Sequence, residues 1–487
     1  MTINTRLVTG LALSAALGGL LFGYDTAVIS GAVGSIDANF INPQNLSETA
    51  RSSLSGWAVS CALLGCVIGA GLAGPISLRL GRRGGLMVSA ILFLFSSLGS
   101  AFPEIGFGAI GHMGPAALGP FIAYRIVGGM GIGIASMLSP LYIAEIAPAA
   151  SRGRFVTFQQ IAIVGGMNLV YFVNWAIASR GDEAWINAWG WRFMLASAAI
   201  PALIFLLAMV AVPDTPRWFA LKGREEEGLK VLRTLEDDET AAATMAEIHQ
   251  TLNERSGKLF AFGALVVVVG VMLSIFQQFV GINAVLYYAP LMFKNMGSST
   301  DTALLQTVVV GVANVVFTLV ATATVDRWGR KPLLILGGLV MAASMLILGF
   351  LFNAHAVGIG ALIAVIAYIA GFALSWGPVT WVLLSEIFPN IIKAKAMAIA
   401  VAAQWIANLL VSWSFKVMDG SSALNAMFNH GFAYWIYGGM SLLAVLFVMR
   451  FVPETKGKTL EAIQHMWKPG QSHASAAPDL RPAADPL

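Results

Sequence analysis

Twelve mostly apolar stretches recur along the chain, near 9–35, 56–77, 84–102, 117–143, 155–178, 191–212, 259–289, 302–325, 332–353, 356–385, 395–417 and 431–452. They are of the length, about 20 residues, that a helix needs to cross the hydrocarbon core of a bilayer. Between the sixth and seventh the pattern changes. Segment 213–258 is rich in Glu, Arg and Leu and predicts short amphipathic helices on a membrane surface. From Pro469 onward the chain is small, polar and Pro-rich, a composition that cannot bury a core of its own. The pattern predicts an all-α membrane protein: a six-helix bundle over 1–212, a linker over 213–258, a second bundle over 259–455 and a partly disordered tail over 456–487. The apolar run after Arg6 continues past Gly23 to about Val33, so it reads as an uncleaved first helix rather than a signal peptide.

Composition sharpens this. The 487 residues are 57% hydrophobic and 11% charged, against about 25% charged in a soluble domain. A soluble enzyme, a nucleic-acid binder and a disordered scaffold are all disfavoured. Cys61 and Cys66 are five apart in one apolar run, about 140° apart on a helix, and read as small packing groups rather than a pair. His112, His249, His355, His430, His465 and His473 do not cluster with Cys or acids at metal-ligand spacing. No nucleophile–base set is present, so neither an enzyme nor a cofactor is expected. Gly128, Gly129, Gly131 and Gly133 crowd the fourth span and serve close helix packing, not nucleotide binding.

Charge position gives the orientation. Most of the 29 Lys and Arg fall on one side, in the loops around Arg79, Arg152, Arg327 and Lys393, in the linker and near both termini. Only Arg51, Arg180, Arg192, Lys294 and Lys416 fall on the other. By the positive-inside rule both termini and the linker are cytoplasmic. The halves also repeat. Arg79-Leu-Gly-Arg-Arg83 recurs as Arg327-Trp-Gly-Arg-Lys331, Glu145-Ile-Ala-Pro148 as Glu386-Ile-Phe-Pro389, and Pro213-Asp-Thr215 as Pro453-Glu-Thr455. Six spans per repeat leave the halves in one orientation, and such parallel repeats build transporters with a site between the halves.

These loop motifs resemble the signature of the major facilitator superfamily. Pro213-Asp-Thr-Pro-Arg217, Pro453-Glu-Thr-Lys-Gly457 and the run Gln277-Gln-Phe-Val-Gly-Ile-Asn283 through Tyr287-Tyr288 resemble its sugar porter family. Phe22-Gly-Tyr-Asp-Thr-Ala-Val-Ile-Ser-Gly31 and Trp381-Val-Leu-Leu-Ser-Glu-Ile-Phe-Pro389 are similar to bacterial D-xylose–proton symporters. The resemblance implies a cytoplasmic gate drawn from Arg79, Arg83, Glu145, Arg154, Arg217, Asp326, Arg327, Arg330, Glu386, Lys393 and Glu454. Glu145 can pair with Arg152 or Arg154, and Glu386 with Lys393 or Lys395. Leu78 stands where the family usually has an acid and Lys393 where it commonly has Arg; Lys cannot grip a carboxylate with two prongs.

Gln160, Gln277, Gln278, Asn283 and Gln404 lie within apolar spans. An amide donates and accepts as a sugar hydroxyl does, and the faces of Tyr287, Tyr288, Trp376, Trp381 and Trp405 suit the C–H face of a pyranose. Gln277 and Asn283 stand about 240° apart on an ideal helix, so both reach one site only if span 7 breaks, which Gly281 permits. Asp25 and Arg125 are the charges placed deep in spans, where charge marks function. The resemblance implies Asp25 as proton carrier and Arg125 as its partner. Burial disfavours an ionised carboxyl and a guanidinium favours it, so relative movement would make the carboxyl hold or release a proton.

The expectation is a monomeric carrier in the bacterial cytoplasmic membrane that moves a monosaccharide, D-xylose or a similar pentose or hexose such as D-glucose, inward with a proton. It needs no nucleic-acid partner. A facilitative uniporter and a non-transporting sugar receptor are the alternatives. Pentoses and hexoses differ by one hydroxymethyl group that the same amides serve, and Met167 is an apolar neighbour of the expected pocket.

Overall fold

The computed structural model describes residues 4–148, 152–252 and 259–456, without the side chains of Arg152, Arg154 and Asp326 among others. The expectations for those three side chains and for the tail from 457 lie outside the described residues. Among the described residues, eleven apolar helical stretches are long enough to span a bilayer: Thr5–Gln44, Glu48–Ala101, Gly114–Ile146, Thr157–Ala178, Glu183–Ala211, Ala264–Asn295, Thr300–Ala321, Arg330–Asn353, Ile359–Leu384, Lys395–Asp419 and Phe432–Phe451. The second is two helices joined at Gly81, whose φ of 85° and ψ of 173° break the helical run. The spans are therefore twelve, numbered here in chain order.

A backbone crossing hydrocarbon must satisfy its own N–H and C=O groups, which a helix does. The faces turned away from the protein are accordingly apolar, with Phe95, Ile200, Leu203 and Leu446 exposed. Span 1 is buried along most of its length and packs on spans 4, 5 and 7. Across the two halves, span 11 packs on span 2 and span 8 on span 5. Glycines set these separations. A side chain on Gly56 would press on the Trp413 carbonyl of the other half, and one on Gly311 would meet Asn168 and Tyr171.

Three helices, Pro216–Leu221, Glu225–Leu235 and Asp238–Leu252, follow span 6. Ala220, Leu232, Ala241 and Met245 bury a small apolar cluster among them. The Leu235 carbonyl accepts from the Asn4 N–H, fastening this layer to the start of span 1.

Candidate functional site

Two spans are interrupted where the halves meet. Span 7 ends a first helix at Phe279 and restarts at Ile282, with Gly281 at φ 95° between them. Span 10 is broken at Ser375, φ −135° and ψ −88°. Each break frees backbone groups beside a cavity of about 230 Å³ walled by both halves. Span 7's break does what the 240° separation requires: Gln277, Gln278 and Asn283 all wall this cavity.

Their amides form one chain. Asn283 Nδ2 donates to Gln278 Oε1 at 2.5 Å, and Gln278 Nε2 to Gln277 Oε1 at 3.3 Å. Gln404 Nε2 donates to the same Gln277 oxygen at 2.6 Å. Gln277 Nε2 donates to the Trp376 and Gly377 carbonyls, at 3.0 and 3.3 Å, in the first turn after the span 10 break. Gln277 is thus the node joining spans 7, 10 and 11. Gln160, Trp381 and Trp405 also wall the cavity. Trp405 packs on Phe22 of the first half, ring centroids 5.4 Å apart.

Three expected aromatics are elsewhere. Trp376 is fully buried and donates to the Leu334 carbonyl at 2.9 Å. Tyr288 donates to the Ser412 carbonyl at 3.1 Å and packs on Phe415. Tyr287 accepts from Asn408 Nδ2 at 3.4 Å. None of the three walls this cavity: after the breaks, their polar groups are turned to neighbouring helices. Conversely, Ser136, Gln159, Asn314 and Thr318 wall it without having been singled out. Asn314 and Thr318 are one turn apart in an apolar span, a signal that was present.

Asp25 and Arg125 meet as one buried pair. Arg125 Nη1 lies 3.1 and 3.2 Å from the two Asp25 carboxylate oxygens, and Nη2 donates to the Asp25 carbonyl at 3.4 Å. Both are about 2% exposed. Gly128, one turn from Arg125, has no side chain to separate span 4 from Ser96 and Asp25. Cys61, Cys66 and Tyr287 all sit close enough to feel these charges. A second buried pair was not foreseen: Arg192 donates to Glu104 at 2.6 and 2.9 Å. Burial pushes the Glu104 carboxyl up, but Arg192 and the Glu104 and Gly111 N–H groups outweigh it and hold it below the usual range.

On the basic face the repeat is built twice. Arg82 grips Glu145 through two bonds of 2.9 Å, and Thr215 Oγ1 donates to the same glutamate. Arg330 grips Glu386 at 3.2 and 2.9 Å, and Thr455 Oγ1 completes that set. Asp214 accepts from the Arg82 N–H and Glu454 from those of Arg330 and Lys331. The left-handed Gly81 and Gly329, φ 85° and 88°, leave room for these carboxylates. Burial raises Asp214, while four N–H donors outweigh burial and lower Glu454. Arg83 donates to the Met209 and Val210 carbonyls at 2.9 and 2.8 Å. Arg82 and Arg330 thus grip the two glutamates, partners additional to the expected ones. Lys393 is half-buried, which lowers it, and feels the Glu386 charge. Arg79 and Arg327 are exposed and Arg217 half-buried.

On the opposite face, polar contacts join the halves. Lys416 lies 3.0 Å from Asp37 and Lys294 3.4 Å from Glu183. Trp413 Nε1 donates to the Ser53 carbonyl at 3.2 Å, the Ser422 N–H to Glu48, and Tyr171 to the Leu286 carbonyl at 2.8 Å. A second cavity of about 460 Å³ lies among the Asp37, Glu183, Lys294 and Lys416 side chains.

The family model described as sugar (and other) transporter matches residues 11–467. The D-xylose-proton symporter of Escherichia coli K12 is 54% identical over 475 residues, 96% of this chain and 97% of its own. The glucose facilitated diffusion protein of Zymomonas mobilis is 50% identical over 466 residues, 95% of this chain and 98% of its own. An inward-open structure of the E. coli xylose transporter superposes with a TM-score of 0.85 at 52% identity, covering 95% of this chain and 100% of that one. Its complex with 6-bromo-6-deoxy-D-glucose gives 0.83 at 54% identity, covering 96% and 100%.

Proposed function

The chain belongs to the sugar transporter family, a branch of the major facilitator superfamily, and from that premise we propose that it carries a monosaccharide and a proton together into the cell. The observation that carries this reading is the buried Asp25–Arg125 pair near an uncharged, amide-lined cavity between the halves. D-xylose or a closely similar pentose or hexose is the substrate. Its hydroxyls exchange bonds with Gln160, Gln278, Asn283 and Gln404, and Trp381 and Trp405 cover its C–H face. Gln277 holds the amides of spans 7 and 11 in register.

The protein sits in the bacterial cytoplasmic membrane as a monomer, basic face and both termini inside. The ion pairs joining the halves opposite the basic face are then the closed outer gate. The glutamate-centred sets on the basic face brace the ends of each half for the reverse state. A proton arriving at Asp25 removes the charge that Arg125 holds, loosening span 1 from span 4. Sugar contacting both halves draws them together only when that link is released, so the two cargoes cross as a unit.

A uniporter is the second reading, favoured by the name of the 50% identical Zymomonas relative. The two separate in proteoliposomes offered a panel of pentoses and hexoses, with and without an inward proton gradient. Accumulation above equilibrium only with the gradient supports symport. Equilibration alone, at a rate indifferent to the gradient, contradicts it.

A further inference from the structure

Asp25 walls neither the central cavity nor the second one, so neither cavity hands it a proton directly. Three buried polar atoms around and above it have no hydrogen-bond partner among the described residues: Arg125 Nε, Ser96 Oγ and Ser100 Oγ. Ser96 and Ser100 are at most 1% exposed and stand one turn apart on the same face of span 3. A Cβ on Gly128 would collide with Ser96 Oγ and lie 3.8 Å from Asp25 Oδ2, so the hydroxyl and the carboxylate share one small space. At the outer end of span 3, Arg192 Nη1 donates to the Ala101 carbonyl and holds Glu104.

Buried polar groups without partners are where proteins hold ordered water. A hydroxyl accepts a proton on one lone pair as it gives up its own, so it relays protons without becoming charged. We propose that Asp25 takes its proton from outside along Ser100 and Ser96, bridged by water, through the interior of the first half and apart from the sugar path. The inference rests on the proton-coupled reading above. A proton enters as hydronium below the Glu104–Arg192 pair, passes by exchange of O–H bonds along the two hydroxyls and their waters, and ends on an Asp25 oxygen. Each hydroxyl finishes with the proton count it began with. Among the described residues, Cys66 from span 2 and Tyr287 from span 7 feel both charges of the pair, and Cys61 from span 2 feels Arg125.

The test is the Ser96→Ala/Ser100→Ala double variant in proteoliposomes, read in two ways: the rate of sugar-driven proton uptake, and sugar counterflow with equal sugar on both sides. The expected result is proton uptake slowed about tenfold, the scale of losing one net hydrogen bond from the transfer path, with counterflow unchanged. Unchanged proton uptake would overturn the route, and so would an equal fall in both rates, which would make the hydroxyls packing groups. Wild-type protein that moves sugar with no proton would instead overturn the coupled reading, and the route with it.

Discussion

Lys416 Nζ lies 3.0 Å from Asp37 Oδ2, joining the ends of spans 11 and 1 on the face opposite the basic one. Ser55 Oγ donates to the other Asp37 oxygen at 2.5 Å, so Asp37 is held by both halves. The Lys294–Glu183 contact is longer and more exposed and contributes less. Lys416→Ala should raise the outward-open population about fivefold, on the scale of one half-buried ion pair. Distances between spin labels on the outer ends of spans 1 and 11 measure this. An unchanged distribution would show that this ion pair does not hold the gate.

Removing Gln278 or Gln404 should weaken sugar binding about tenfold, near one net hydrogen bond with a partner left unsatisfied. Gln277→Ala should cost more, because it also removes the tie to the Trp376 and Gly377 carbonyls of span 10. Calorimetric titration with D-xylose ranks the three. Equal losses would remove Gln277 as the node.

The two repeated ion pairs should not be equal in strength. Arg82 and Glu145 are 10% and 8% exposed, Arg330 and Glu386 12% and 23%. Breaking a well-buried pair by removing one partner costs about 3–5 kcal/mol. Arg82→Ala should therefore lower the unfolding temperature in detergent more than Arg330→Ala does. The reverse order would contradict the burial argument.

His430 supplies a pH dependence. The hydrogen bond with Asp419, 2.8 Å, raises its imidazole above the ordinary value, against half-burial. A raised histidine stabilises most fully below its unfolded value, about 6.5, and the gain fades as pH rises through the higher folded value. The wild type should lose thermal stability from pH 6 to 9 relative to His430→Gln. Parallel profiles would show that the contact does not titrate.

Much of this was legible in the sequence because hydrocarbon admits few backbone solutions. Each apolar run became a span, with differences only at ends such as the continuation of span 1 to Gln44. Asp25 and Arg125 stood out as charges with apolar neighbours on both sides. Arg192 did not, because it borders the apolar run beside Trp191 and reads as a loop residue. Arg82 as a partner of Glu145 was hidden for a related reason. Arg152 and Arg154 are close in sequence, but the packing of span ends delivers Arg82 from 63 positions away. Trp376 sits next to Gly377 and Tyr287 next to Leu286, both of which wall the central cavity. Which way each faces is decided by the breaks at Ser375 and Gly281, and their directions cannot be read from residue spacing.

The central claim is that Asp25 carries the proton that drives sugar inward. The most direct measurement is Asp25→Asn in proteoliposomes, comparing gradient-driven accumulation with counterflow. The account predicts that accumulation disappears while counterflow persists. Accumulation that survives in Asp25→Asn would contradict it.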